Sequence, residues 1–138
     1  MINESVPSNS IFLIADQSED GRKKLKEGLN QLGYHYIIEG ENAHAALTKM
    51  EIGANTGSPI TVVLCDWSIA GDKGLEFLLK VRSFSFSSRT PILITTSHQD
   101  LPIVLRKANK HIEGYIVKPY TPESLRINLE AIFAGISA

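Results

Sequence analysis

Short apolar runs alternate with longer segments of helical periodicity along almost the whole chain. The apolar runs predict five strands, which are expected at residues 11–15, 34–39, 61–65, 91–95 and 115–117. Unbroken runs of this length are typical of strands that are buried on both faces of a parallel sheet. The pattern therefore indicates a sheet that is covered by other elements on both sides.

Each predicted strand is followed by a segment whose apolar residues recur at helical spacing. Helices are expected over residues 18–32, 42–51, 72–84, 101–110 and 121–133. Because parallel strands are joined by right-handed crossovers, five such units place helices on both faces of one sheet. The predicted fold class is α/β, a doubly wound (βα)5 arrangement with a five-stranded parallel sheet and flavodoxin-like topology.

Local signals mark where some of these elements begin and end. Gly33 is expected to end the first helix, and Asn42 is a candidate N-cap of the second. Thr121 is expected to cap the last helix, with Pro122 at its first position, where a missing N–H costs least. The stretch Gly53–Ser58 is predicted to be a surface loop.

Length and charge limit the classes of function. The 138 residues suit one domain, which is predicted over residues 11–135 after a disordered lead over residues 1–10. Lys and Arg number 14 and Asp and Glu number 15, which gives a net charge of −1. The chain lacks the basic patch of a nucleic-acid-binding domain, so no nucleic-acid partner is expected.

Features of secreted or membrane-inserted proteins are also missing from the sequence. Cys65 is the only cysteine, which excludes an internal disulfide and suits a reducing compartment. No apolar run approaches the ~18–20 residues that a membrane-spanning helix needs. The first ten residues are polar and do not resemble a signal peptide. A cytoplasmic location without membrane insertion is therefore expected.

Polar residues stand at the ends of four predicted strands. They are Asp16, Asp66, Thr96 and Lys118, and the carboxyl ends of parallel strands meet at one edge of the sheet. Two carboxylates brought together need a cation or a shared proton, and Mg²⁺ commonly takes one or two carboxylates. A Lys ammonium and a Thr hydroxyl suit a phosphoryl group. The pattern predicts a pocket in which a carboxylate accepts phosphate.

Four segments carry a resemblance to a known family. They are FLIAD at Phe12–Asp16, VVLCDW at Val62–Trp67, PILITTS at Pro91–Ser97 and GYIVKPY at Gly114–Tyr120. In this order and spacing they resemble the receiver domains of two-component response regulators, including the single-domain chemotaxis type, across residues 11–133. The resemblance implies phosphorelay signalling without classical enzyme activity, a histidine kinase or phosphotransfer protein as phosphoryl donor, and a downstream protein target.

The resemblance also implies a role for each site residue. Asp66 matches the phospho-accepting aspartate, which is also a ligand of Mg²⁺. Asp16 and the backbone carbonyl of Ser68 match further Mg²⁺ ligands. Thr96 matches the hydroxyl residue that moves toward the phosphoryl group. These four positions define the expected acceptor site.

Two further positions match the lysine and the aromatic switch of the family. Lys118 matches the lysine that contacts the phosphoryl group, and the bond from Lys118 to Pro119 is usually cis in the family. Tyr115 matches the aromatic residue that turns inward when the hydroxyl residue shifts. A homodimer through the helix over residues 101–110 and the last helix is suggested by analogy alone.

Gln17 departs from the family pattern, because a second acidic metal ligand usually stands at this position. An amide oxygen can bind Mg²⁺ but adds no charge, so weaker Mg²⁺ binding is expected. This feature favours an alternative, a pseudo-receiver that binds proteins without phosphorylation. His111 is a second departure, since it stands where a glycine usually ends the helix; a strained left-handed turn is expected there.

Two rival functions share this topology. An FMN-binding protein would need a phosphate-cradling loop after the first strand, but the segment Asp16–Asp20 is acidic and would repel a phosphate. A nucleotide hydrolase would need the G-x-x-x-x-G-K-[ST] loop, which the sequence lacks.

Overall fold

The computed structural model describes residues 6–70 and 74–137. Its strands are β1 (Ile11–Ala15), β2 (Tyr36–Gly40), β3 (Val62–Asp66), β4 (Ile92–Thr96) and β5 (Gly114–Val117). They form one parallel sheet in the order β2-β1-β3-β4-β5. This order is that of flavodoxin-like doubly wound folds, so the predicted fold class is confirmed.

Helices follow every strand, as the periodicity predicts. They are α1 (Glu19–Gln31), α2 (Ala43–Asn55), α3 (Trp67–Ala70), α4 (Gly74–Ser83), α5 (Leu101–Ala108) and α6 (Pro122–Ser137), with a 3-10 turn at Asn109–His111. The predicted start of one helix at Asp72 lies outside the described residues. Within residues 6–70 and 74–137, no helix combines the length and apolar character needed to cross a membrane.

Alternating residues of the central strands build two apolar layers, one on each face of the sheet. On one face, Leu13, Val63 and Ile94 pack in a cluster with residues of α2, α4 and α5. On the other face, Phe12, Ile14, Val62 and Leu64 pack with residues of α1 and α6, among them Leu25, Leu29 and Leu125. Every residue of β3 and β4 is buried, which explains why these strands read as unbroken apolar runs.

The predicted helix boundaries are confirmed where capping chemistry marks them. Gly33 has a φ of 94°, and its N–H donates to the carbonyl of Asn30 while that of Tyr34 donates to Leu29. This left-handed termination is one that glycine adopts without steric cost. Asn42 caps α2 by accepting a hydrogen bond of 2.7 Å from the N–H of Ala45.

The start of α6 is a reciprocal capping box. The Thr121 hydroxyl accepts from the N–H of Ser124 at 3.1 Å, and the Ser124 hydroxyl accepts from the N–H of Thr121 at 3.0 Å. Pro122 stands at the first helical position. Two otherwise unpaired backbone donors are therefore satisfied. The predicted cap at Thr121 and the predicted place of Pro122 are confirmed, while the part that Ser124 plays was not predicted.

The loop predicted at Gly53–Ser58 begins three residues later, at Thr56, because α2 continues to Asn55. Gly53 lies inside the last turn, where an added Cβ would stand 2.6 Å from the carbonyl oxygen of Ser58. The N–H of Ser58 donates to the carbonyl of Gly53 at 2.9 Å. Gly53 therefore permits a close chain reversal and does not end the helix.

The disordered lead predicted over residues 1–10 is wrong for the part that the structure describes. Val6 is only 4% exposed and belongs to the same apolar cluster as Phe12 and Tyr34. The Tyr34 hydroxyl donates to the carbonyl of Val6 at 3.3 Å. Val6 and Ser10 are therefore buried on the domain, and residues 1–5 lie outside the described part of the chain.

The prediction of a strained turn at His111 is also wrong. No residue other than glycine has a positive φ within the described ranges, and His111 continues α5 as the last residue of the 3-10 turn. The Arg82 guanidinium donates to the His111 carbonyl from Nε at 3.0 Å and from Nη2 at 2.7 Å. This side chain satisfies the carbonyl at the end of the turn, so a left-handed residue is not needed.

Candidate functional site

The carboxyl edge of the sheet brings together carboxylates and a lysine from three separate segments. Asp16 follows β1, Asp66 ends β3 and Lys118 follows β5. Asp16 is 3% exposed and Asp66 6% exposed, whereas the Lys118 side chain is 45% exposed and its ammonium forms an ion pair with Asp66 Oδ1. Asp16, Asp66 and Lys118 therefore lie at one edge of the sheet, where Thr96 also ends β4; the roles of these residues stay predictions.

Three donors hold the Asp66 carboxylate. The N–H of Ser68 donates to Oδ2 at 3.0 Å, while the Thr95 hydroxyl donates to Oδ1 at 2.8 Å beside the Lys118 ammonium. Burial opposes ionisation, yet the hydrogen bonds from Lys118, Ser68 and Thr95 hold the pKa of the Asp66 carboxyl below its usual range. Asp66 is therefore a buried, oriented carboxylate that is ionised at neutral pH.

Asp16 has a different electrostatic environment. Burial raises the pKa of its carboxyl; the hydrogen bond from the N–H of Ser18 lowers it, and the negative charge of Asp66 raises it again. The net effect is a raised pKa. Asp16 does not cap α1, because the hydroxyl of Ser18 accepts from the N–H of Gly21 at 3.0 Å and serves as the cap.

Gly21 leaves space for the Asp16 carboxylate in the first turn of α1. A Cβ at this position would stand 2.4 Å from Asp16 Oδ2. Real Cβ atoms do not approach an oxygen so closely, so any larger residue would turn the carboxylate away. The orientation of the Asp16 carboxylate therefore depends on the absence of a side chain at Gly21.

Arg22 holds the backbone of the loop that carries Asp16 and Gln17. Its Nη1 donates to the carbonyl of Asp16 at 2.9 Å and to that of Gln17 at 3.4 Å. Its Nε donates to Glu39 at 3.1 Å, and the Arg22 side chain is only 14% exposed. The loop is thereby fastened to β2 through one guanidinium.

The donor set fits a magnesium ion bound by two carboxylates. The described residues contain no group of three or more His, Cys, Asp or Glu side chains that could hold a metal. Mg²⁺ needs only one or two carboxylates when water and phosphate oxygens complete its six positions. Asp16 and Asp66 supply such a pair. A bound cation would offset the repulsion between their two negative charges. Gln17 is exposed and adds no charge.

The hydroxyl that contacts Asp66 belongs to Thr95, which the sequence analysis did not select. Asp66 pairs with Thr95 in the register between β3 and β4, so their side chains leave the same face of the sheet. The Thr96 hydroxyl contacts the carbonyl of Ser97 at 3.5 Å. Two consecutive threonines at a strand end were the only available signal, and the register is needed to choose between them.

Tyr115 and Lys118 occupy opposite ends of one short segment. Tyr115 lies on β5, pairs with Ile94 and is 38% exposed. The N–H of Lys118 donates to the carbonyl of Thr96 at 2.7 Å, and the peptide bond from Lys118 to Pro119 is cis, as the resemblance implies. The structure thus presents the tyrosine ring to solvent while the lysine reaches the carboxylate.

Tyr120 lies beside the acidic cluster and was not selected from the sequence. Burial, followed by the negative charges of Asp16 and Asp66, raises the pKa of its phenol well above the usual range. Its ring also receives the ammonium of Lys24 at 5.1 Å from the centroid. Tyr120 is therefore a neutral aromatic neighbour of the two carboxylates.

Comparison with known proteins gives consistent relatives. A family model described as the response regulator receiver domain matches residues 12–130. The chain is similar to the chemotaxis protein CheY1 of Helicobacter pylori, with 32% identity over 121 residues that cover 88% of this chain and 94% of the relative. It is also similar to a chemotaxis protein CheY homolog of Campylobacter jejuni, with 31% identity, covering 88% of this chain and 90% of that one.

Solved structures show the same fold. The chemotaxis response regulator CheY4 of Vibrio cholerae superimposes with a TM-score of 0.73 at 26% identity, over 89% of this chain and 98% of that chain. A response regulator receiver domain protein from Clostridium thermocellum gives a TM-score of 0.74 over 93% of this chain and 97% of that chain. Its identity of 19% supports a likeness of fold alone.

Proposed function

This chain belongs to the response regulator receiver domain family, and from that premise we propose that its Asp66 accepts a phosphoryl group in a phosphorelay. Receiver domains act in two-component signalling, not as classical enzymes; in general they bind Mg²⁺ and interact with kinases or phosphotransfer proteins. The observation that carries the proposal is the buried Asp66 carboxylate, which three donors orient at the edge of the sheet. The proposed donor is a histidine kinase or phosphotransfer protein.

The proposed reaction is a phosphoryl transfer from a phosphohistidine to Asp66. An oxygen of the carboxylate attacks phosphorus, the new O–P bond forms as the N–P bond breaks, and the imidazole nitrogen keeps the electron pair. The Lys118 ammonium offsets negative charge on the group in transfer, because it already lies against the acceptor. The acyl phosphate so formed is hydrolysed when the signal ends.

Asp16, Asp66 and the backbone carbonyl of Ser68 are the residues that would hold Mg²⁺. When bound, the ion supplies positive charge to the phosphoryl oxygens. Gln17 offers a neutral amide in place of a second acid next to Asp16. We therefore propose that this domain binds Mg²⁺ more weakly than receiver domains that have an acid at this position. The raised pKa of Asp16 agrees with this assignment, since an opposite charge would favour its ionised form.

The proposed output is a change in the surface that includes Tyr115. Thr96 is 2% exposed at the end of β4, whereas the Tyr115 ring is partly in solvent. A shift of Thr96 toward a phosphoryl group on Asp66 would open space for the ring to turn inward. This is a population shift between two states of the domain, and the face that Tyr115 leaves is where a downstream protein would bind.

A pseudo-receiver is the second candidate, and the observation that favours it is Gln17. Such a domain would keep the fold and bind partners without accepting phosphate. The chemotaxis role of the relatives, a cytoplasmic location and a homodimer stay predictions for this chain under either candidate.

Trp67 provides the test, because it is the neighbour of Asp66 and the only tryptophan. Its fluorescence would be followed during addition of Mg²⁺ and then of beryllofluoride, in the wild type, in Asp66→Asn and in Gln17→Asp. We expect a saturable response in the wild type that Asp66→Asn abolishes. We also expect Gln17→Asp to bind Mg²⁺ about 10- to 100-fold more tightly. Failure of both the wild type and Gln17→Asp to respond would reject phosphorylation in favour of the pseudo-receiver.

A further inference from the structure

Thr95 makes a buried hydrogen bond to the proposed phospho-acceptor. Its hydroxyl donates to Asp66 Oδ1 at 2.8 Å, and Thr95 is only 1% exposed. A hydrogen bond to an ionised group in a buried environment is stronger than one between neutral groups. The contact therefore contributes to the orientation of the carboxylate as well as to its charge state.

The strand register explains why this hydroxyl and not its neighbour reaches the carboxylate. Asp66 on β3 is the registered partner of Thr95 on β4, and consecutive residues of a strand point to opposite faces. Thr96 is the next residue of β4 and therefore points to the opposite face; in β5 the two threonines pair with Ile116 and Val117. The side chain of Thr95 thus lies on the same face as that of Asp66, and its backbone is held between β3 and β5.

Lys118 is a different kind of partner for the same oxygen. Its side chain is long, flexible and 45% exposed, and it pairs with Asp66 Oδ1 beside the Thr95 hydroxyl. If the ammonium turned toward the oxygens of a phosphoryl group, Oδ1 would lose its charged donor and keep the Thr95 hydroxyl. The Ser68 N–H meanwhile holds Oδ2 at 3.0 Å.

We propose that Thr95 is a positioning residue that keeps the Asp66 carboxylate in its reactive orientation when Lys118 moves to the incoming phosphoryl group. This inference rests on the proposed function of Asp66 as acceptor. It assigns the two adjacent threonines to separate tasks, with Thr95 serving the transfer step and Thr96 serving the switch that follows.

The test compares the wild type with Thr95→Val, which keeps the side-chain shape without the hydroxyl, and with Thr95→Ser, which keeps the hydroxyl. Phosphorylation by acetyl phosphate at saturating Mg²⁺ would be followed by Trp67 fluorescence over a range of donor concentrations. For Thr95→Val we expect the maximal rate to fall about tenfold, the size of effect of one hydrogen bond to a charged group, with an unchanged KM. Thr95→Ser should restore most of the rate.

A second readout is independent of phosphoryl transfer. In metal-free protein at one fixed pH, the carboxyl carbon-13 resonance of Asp66 should shift in Thr95→Val and return toward the wild-type position in Thr95→Ser. Thr56 lies away from the site, and its hydroxyl donates to the carbonyl of Ile52, so Thr56→Val should leave this resonance in place. The melting temperatures of all variants would identify any general loss of folding.

The outcomes separate the two proposals. If the wild type is phosphorylated and Thr95→Val reacts at the same maximal rate, Thr95 has no positioning role and only this inference fails. A rate loss that Thr95→Ser does not restore would also overturn it. If the wild type is not phosphorylated, the proposed function of Asp66 fails, and a positioning role in transfer fails with it.

Discussion

Replacing Arg82 with alanine should destabilise the domain far more than the same change at Arg126. The Arg82 guanidinium donates to the backbone carbonyls of His111, Thr90 and Ser88, at 2.7 Å for the shortest contacts to His111 and Thr90 and 3.2 Å to Ser88. Ser88 and Thr90 belong to the connection from α4 to β4, and His111 belongs to the connection from α5 to β5. Both connections lie at the edge of the sheet opposite the acceptor site. The Arg82 side chain is 19% exposed, so water replaces it poorly.

The expected loss of folding stability follows from the number of backbone carbonyls that would lose their donor. Three backbone carbonyls at about 1 kcal/mol each give a loss of about 3 kcal/mol. The ion pair of Arg82 with Glu113, whose side chain is 36% exposed, adds little to this total. In a domain of this size, such a loss lowers the melting temperature by about 10 °C. Arg82→Lys should recover only a small part, because one ammonium cannot reproduce the planar fork of donors.

Arg126 is the matched control, since it also contacts several oxygens. Its partners, Glu123 and Glu130, are carboxylates on the same helix α6, and the Arg126 side chain is 39% exposed. Pairs of this kind within a surface helix contribute little to stability. Thermal and urea unfolding followed by circular dichroism would measure both variants. Equal destabilisation by the two changes would refute the reasoning that backbone acceptors make Arg82 the more important arginine.

Two further predictions concern the Asp16 side of the site. Because the pKa of Asp16 is raised in the folded state, its ionised form costs stability, and the cost appears as the pH rises through that pKa. Asp16→Asn should therefore be more stable than the wild type at pH 7 without Mg²⁺, and it should lose this advantage near pH 4. Urea unfolding at both pH values measures the difference in stability. A variant that is less stable than the wild type at pH 7 would contradict the prediction. Gly21→Ala should turn the Asp16 carboxylate away and lower Mg²⁺ affinity about tenfold by titration of Trp67 fluorescence. Gly135→Ala is its control, as no atom lies within 4 Å of a Cβ there, and equal affinities in the two variants would show that the contact at Gly21 is unimportant.

Local chemistry made much of the fold readable from the sequence. The predicted bounds of β1 agree with the structure, because an apolar run of five residues meets Asp16 and a capping serine. Gly33 ends α1 because it adopts a positive φ, and Asn42 begins α2 because its side chain accepts a backbone hydrogen bond. Both are properties of a single residue, so both could be predicted locally. The convergence of Asp16 and Asp66 followed from topology alone, since parallel strands place their carboxyl ends at one edge.

Long-range contacts explain the parts that sequence reasoning missed. An isolated Val6 in a polar segment gives no sign of burial, which depends on Tyr34. The turn at His111 needs no left-handed residue because Arg82, far away in the chain, satisfies its carbonyl. Thr95 and Thr96 are the same residue type at adjacent positions, and they differ in which one lies on the same face of the sheet as Asp66. That choice depends on the pairing of β3 with β4, which no local pattern specifies.

The most direct test of the central claim is the intact mass of the protein after incubation with acetyl phosphate and Mg²⁺, with peptide mapping of the modified residue. Asp66→Asn would be treated in the same way. We expect a gain of one phosphoryl group per chain, located on Asp66 and absent from the variant. No gain in mass, or an equal gain in Asp66→Asn, would contradict the claim that this carboxylate is the phospho-acceptor.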